Sequence, residues 1–102
     1  MSTSKEIDYV LGTHDAEIGR LHLQHGVWRA LVHDCWKRAG IGIGQRIIDI
    51  GCGPGFASVD LADIVGNKGE VIGIERSERF IAHAEALCAS RGLKNASFQH
   101  AD

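Results

Sequence analysis

The run "RIIDIGCGPGF", Arg46 to Phe56, constrains this chain more than any other. A short β-branched segment meets three glycines and a proline, and "FASVDLADIV" (about 56–65) then reads as a helix. Gly51, Gly53 and Gly55 can take positive φ, and they carry no Cβ to keep a ligand away. Pro54 fixes φ near the start of the helix. A strand, a glycine loop and a helix set in this order aim backbone N–H groups and the positive end of the helix dipole at one place. The glycines alone leave two readings open: a tight strand-to-helix turn, or a loop that holds a ligand.

The segments around the loop repeat the alternation. "EVIGI" (70–74) is a second β-branched run, and "GNKG" (66–69) makes the turn before it. Neither run alternates polar with apolar residues, which suits strands of a parallel sheet buried on both faces. Ser77 is placed to cap a following helix, with Glu78 in its first turn. Phe80, Ile81, Ala84, Leu87 and Cys88 recur at helical spacing, and Gly92 fits the position just past the end. "ASFQH" (96–100) supplies a third strand.

Upstream, residues 1–13 read as a loose arm anchored by Tyr9, Val10 and Leu11. One helix is expected from about Asp15 to Gly26, with Ile18, Leu21, His25 and Trp28 on a stripe. A second is expected over 27–39. Its residues Trp28, Leu31, Val32, Cys35, Trp36 and Ala39 form an apolar face that needs a partner. "GIGIG" (40–44) ends it. The whole is an α/β chain: N-terminal helices, then β-α-β-α-β with right-handed crossovers and a Rossmann-like parallel sheet.

Bulk properties exclude several function classes. At 102 residues the chain is long enough for one small domain. The net charge of −2 and the scattered Lys and Arg supply no basic patch for nucleic acid. No apolar run approaches the roughly 20 residues of a membrane span. The N-terminus lacks a secretory apolar core. Cys35, Cys52 and Cys88 include no CxxC pair, which suggests a reducing, cytoplasmic setting. His22 and His25 share a helix face as metal ligands can, but no third ligand has supporting spacing, so no metal is expected. The N-terminal helix histidines are expected to be partly buried or solvated, and His83 on the second crossover helix is expected to be solvated.

Glu75 turns the glycine loop toward the ligand reading. It ends the second strand about 20 residues beyond the loop, where an acid of dinucleotide-type folds accepts hydrogen bonds from ribose hydroxyls. The dinucleotide fingerprint G-x-G-x-x-G fails, however. Counted from Gly51, the third glycine is Phe56; counted from Gly53, position 58 is Ser58. The loop also has no lysine, so a phosphate-free nucleoside suits it better. "IIDIGCGPG" resembles motif I of class I S-adenosylmethionine-dependent methyltransferases. "GEVIGIERSERFIAHA" resembles the segment that follows it in that family, and "FQHAD" the end of the third strand.

The resemblance spans about residues 40–102 and implies roles. Gly51, Cys52, Gly53 and Gly55 would line the methionine and ribose part of S-adenosyl-L-methionine. Asp49 would orient the loop or the cofactor's amino group, and Glu75 would take both ribose hydroxyls. Arg76 would border the adenine, and Asp102 would accept from its amino group. "YVLGTHDAEIGRLHLQHGVW" resembles an N-terminal lid of some small-molecule methyltransferases, with Tyr9, Arg20 and Gln24 as contacts to cofactor or substrate. The expected organisation is therefore a helical extension or lid over 1–39 and a partial cofactor-binding domain over 40–102. The family's sheet has about seven strands in the order 3-2-1-4-5-7-6, of which three are expected here, so the chain reads as part of such a domain. Its first strand would leave an open edge, through which a homodimer could form. No catalytic residue is assigned, and a small molecule is the expected substrate. The competing readings are a non-catalytic nucleoside-binding module, a self-associating fragment and an NAD-binding half-domain.

Overall fold

A computed structural model describes residues 15–102. The order is α1 (Asp15–Arg38), β1 (Arg46–Ile50), α2 (Phe56–Val65), β2 (Glu70–Glu75), α3 (Glu78–Ser90) and β3 (Ala96–His100). The strands form one parallel sheet in the order β1-β2-β3. Ile48 faces Ile72 across the first ladder, and Glu75 aligns with His100 across the second. Two right-handed crossovers stepping in the same direction place α2 and α3 on one face of the sheet.

That face carries the core. Leu61, Ala62 and Val65 of α2 close on Val71 of β2, and Trp36, Ile41, Ile47, Leu93 and Ala96 pack around them. Asn95 ties the lower end, donating from Nδ2 to the carbonyls of Ala62 and Gly66, both at 2.9 Å. Burial along β2 alternates strictly: Val71, Gly73 and Glu75 are buried, whereas Ile72 and Ile74 are only half-covered. On β1 the outward Ile48 and Ile50 stay 61% and 74% exposed. The expectation of strands buried on both faces is thus corrected: among the described residues only one face is covered. The apolar outer face leaves the strand sequences without polar alternation all the same.

The N-terminal helices also differ from expectation. The two are one continuous helix through Gly26. An interior glycine costs about 1 kcal/mol against alanine and does not by itself end a helix. Asp15 and Glu17 in the first turn and Lys37 and Arg38 in the last complement the helix dipole. The expected apolar face is corrected too. Leu23, Val27, Trp28 and Leu31 are more than half exposed, whereas His25, Val32, His33 and Trp36 face inward. A polar contact to α2, described below, sets this rotation of α1. Ser77 caps α3 as its position implies: its side chain accepts from the Phe80 N–H of α3 at 3.2 Å.

Candidate functional site

The glycine loop joins β1 to α2 at the carboxyl edge of the sheet, where β2 ends beside it. Gly51, Gly53 and Gly55 all adopt left-handed φ, at 68°, 58° and 96°. A side chain at any of them would be strained. Two of the three leave room as well. A Cβ on Gly51 or Gly53 would stand in open space, whereas on Gly55 it would lie 2.6 Å from Cβ of Ala84. Gly55 therefore serves the close approach of α3, and Gly51 and Gly53 keep the loop's outer surface clear.

The loop is pinned from both sides. Gly51 and Cys52 N–H donate to the Ile74 carbonyl at 2.7 and 3.1 Å. Ser58 of α2 donates its hydroxyl to Asp49 Oδ2 at 2.7 Å, so Asp49 locks the end of β1 to the start of α2. His83 of α3 lies with Nδ1 2.8 Å from the Pro54 carbonyl. A carbonyl only accepts, so Nδ1–H is the donor. The expectation of a solvated His83 is corrected: the imidazole is half-buried and holds the loop. Its ring meets Phe56 edge-on at 5.4 Å, and His22 of α1 stacks on Phe56 at 4.6 Å.

Glu75 is the centre of the arrangement. Its carboxylate is buried and accepts Gly53 N–H on Oε1 at 2.9 Å and Ser77 N–H on Oε2 at 2.8 Å. One acid thus joins the glycine loop to the start of α3. Each carboxylate oxygen has a second lone pair, so two acceptor positions remain. Cys52 sits inside this edge. Burial, with the Asp49 and Glu75 carboxylates, pushes its thiol up to about 12, so it is neutral at physiological pH. Its Sγ lies over Gly73, where a Cβ would come within 2.8 Å of the sulfur and 2.6 Å of Phe98.

The remaining expected residues fall at varying distance from this centre. Arg76 is exposed, and its carbonyl accepts from His100 Nε2 at 2.8 Å. Ala101 N–H donates to the Glu75 carbonyl at 3.0 Å, which brings the chain before Asp102 to the same edge. Asp102 itself is exposed. Arg20 and Gln24 are exposed on α1, and Arg20 pairs with Glu17 rather than with the loop. Tyr9 lies outside the described residues. The Asp15 carboxylate pairs with Arg79 of α3, which brings the start of α1 to the end of the molecule that carries the loop.

Sequence reasoning missed one cluster. His25, Arg29 and His33 recur every four residues along α1, and all three converge on Oδ2 of Asp60 in α2, at 2.9, 3.0 and 2.8 Å. An ionised carboxylate is acceptor-only, so both imidazoles present Nε2–H. Burial alone would raise Asp60. The hydrogen bonds from His33, Arg29 and His25 outweigh it and hold the carboxyl below its usual value. The i, i+4, i+8 spacing was visible in the sequence, but its target lies 27 to 35 residues away.

A family model described as "Methyltransferase domain" matches residues 42–102. A demethylmenaquinone methyltransferase of Lactococcus lactis is 39% identical over 75 residues, covering 74% of this chain and 29% of that enzyme. A 23S rRNA (uracil(1939)-C(5))-methyltransferase of Acinetobacter baumannii is 42% identical over 55 residues, covering 54% of this chain and 12% of its own. Among solved structures, a SAM dependent methyltransferase from Aquifex aeolicus superposes with a TM-score of 0.65 at 30% identity, over 69% of this chain and 37% of that one. The chain thus spans about a third, or less, of the length of these relatives.

Proposed function

The chain belongs to the class I S-adenosylmethionine-dependent methyltransferase family, as part of the domain, and on that premise we propose that its glycine edge binds S-adenosyl-L-methionine for transfer of a methyl group to a small molecule. One observation carries the reading: the buried Glu75 carboxylate is tied to Gly53 N–H at 2.9 Å beside two left-handed glycines whose Cβ positions are open. That combination fits the cofactor. Glu75 keeps two lone pairs for hydroxyl donors, Gly51 and Gly53 let a ligand approach the backbone, and the loop has no cation to recruit a phosphate.

When bound, the cofactor supplies a methyl group already activated by its sulfonium. What is asked of the protein is alignment and exclusion of water. Glu75, Gly51, Cys52 and Gly53 would hold the ribose and methionine part, with Asp49 fixing the loop through Ser58. Arg76 and Asp102 would border the adenine. Cys52, as a neutral thiol, is no nucleophile here and serves as an apolar wall. His83 holds the loop through Pro54. Arg20, Gln24 and Tyr9 would contact the cofactor or the substrate from the N-terminal side.

The small-molecule reading over RNA rests on charge and on the longer of the two curated alignments. The net charge is −2, and the demethylmenaquinone relative aligns over 74% of this chain, against 54% for the rRNA relative. Parallel calorimetric titrations with S-adenosylhomocysteine and NADH test the cofactor. Saturable heat with the first and none with the second is expected. The reverse pattern would replace the reading with a dinucleotide site.

A further inference from the structure

A cavity lies beside the loop's helix, where α1 crosses α2 and α3. It has a volume of about 140 Å³, and no residue of the loop 51–55 lines it. His22, His25 and Arg29 of α1 border it, with Phe56 and Asp60 of α2 and Arg91 just past α3.

The balance of hydrogen-bonding groups in this cavity is uneven. Asp60 contributes its one carboxylate, and Oδ2 already accepts from three donors. Arg29 uses only Nε on Asp60, at 3.0 Å. Its terminal nitrogens have no other hydrogen-bond partner among the described residues, and the side chain of Arg91 has no hydrogen-bond or ion-pair partner there. Arg29 keeps four uncommitted N–H donors and Arg91 five, on two guanidinium side chains that line a space whose single acid is engaged through Oδ2. The permanent charge is also unbalanced, with Arg29 and Arg91 against Asp60. Guanidinium forks match the planar or tetrahedral oxygens of carboxylate and phosphate groups and bind them by paired, charge-assisted hydrogen bonds.

We propose that this cavity between α1, α2 and α3 is a binding site for a small oxyanion, a carboxylate or phosphate group, held by Arg29 and Arg91 with His22 at its rim. Asp60 acts there as a positioning residue. By holding Arg29 through Nε, it turns the terminal nitrogens toward an incoming acceptor. The aromatic wall of Phe56 and His22 stacks at 4.6 Å and closes one side. The site meets the glycine loop through Phe56, which directly follows Gly55, and through Val59, whose N–H donates to the Gly55 carbonyl at 2.9 Å, while no residue of the loop itself lines the site, so the residues that respond to each ligand tell anion binding from cofactor binding.

The test is a titration of the full chain with inorganic phosphate, and separately with acetate, at constant ionic strength set by sodium chloride. Amide and arginine Nε–H NMR shifts report the binding. Saturable shifts at His22, Arg29 and Arg91 are expected, with half-saturation weakened about tenfold in Arg91→Gln. Arg29→Lys keeps the charge, loses the fork and is expected to weaken binding as well. A response to phosphate alone identifies a phosphate group as the ligand, and a response to acetate a carboxylate. Shifts that stay linear with both anions, or that saturate unchanged in both variants, would overturn the proposal. Arg91 is exposed and outside the Asp60 contact, so its variant is expected to fold, which far-UV circular dichroism checks.

Discussion

Glu75 holds the fold together at the edge proposed for the cofactor. Its oxygens satisfy two backbone N–H groups that the sheet and α3 leave unpaired, those of Gly53 and Ser77. Glu75→Ala would leave both donors without their acceptor at a buried position. The expected result is a loss of about 2 kcal/mol in denaturant unfolding and at least a tenfold loss of S-adenosylhomocysteine affinity. A second residue-scale prediction concerns Gly73. Gly73→Ala drives a methyl against Cys52 and Phe98, and overpacking of this kind costs about 1–3 kcal/mol. Cys52 itself is expected to resist alkylation at pH 8 while the exposed Cys35 reacts, a difference that mass spectrometry of the treated native protein reads directly. Because its folded value is raised, the stability that the neutral Cys52 thiol contributes is complete below the unfolded thiol value of 9.0 and is lost as pH rises from there toward about 12.

At the scale of elements, α1 is attached by the Asp60 hydrogen bonds as well as by Trp36 against the core and His22 against Phe56. Asp60→Asn keeps the shape and removes the carboxylate that three α1 donors share. Faster amide exchange across α1, with β2 unaffected, is the expected outcome. Asp60 lies below its unfolded value of 3.8, so its contribution to docking is complete above that pH and fades as pH falls through the folded value. Exchange within α1 is therefore expected to accelerate below about pH 4 in the wild type, and to change less there in Asp60→Asn. The strand and crossover-helix boundaries were legible because β-branched runs, Ser77 and the glycines act locally. β1 falls at 46–50 and α2 at 56–65, as the pattern implies, and β2 ends at Glu75 as expected. The continuity of α1 was not legible, because Gly26 looks like a terminator until the docking of His25 and Arg29 on either side of it is known. The loop's glycines, together with Glu75, made this edge a candidate ligand site in the sequence, but the contacts that hold the loop did not show. Ser58 meets Asp49 across the loop, nine residues away, and His83 meets Pro54 29 residues away, and neither spacing follows a helix or strand repeat.

At the scale of the whole molecule, the sheet has one covered and one open face among the described residues. Ile48 and Ile50 lie exposed beside the half-covered Ile72 and Ile74, and β1 pairs only with β2 among the described residues. No helix among them is long and apolar enough to cross a membrane. An unpaired strand edge next to an apolar face favours pairing with another copy. Sedimentation of the 102-residue chain is expected to show concentration-dependent association, reduced by Ile48→Lys. A monomer at every concentration would contradict this. The central claim remains the cofactor edge, and the most direct measurement is the amide NMR spectrum of the chain titrated with S-adenosylhomocysteine. The account predicts saturable shifts centred on Gly51, Cys52, Gly53, Glu75 and Ser77, with α1 residues 25–33 little changed. A folded chain whose spectrum does not respond, or whose responding residues avoid the loop and Glu75, would contradict it.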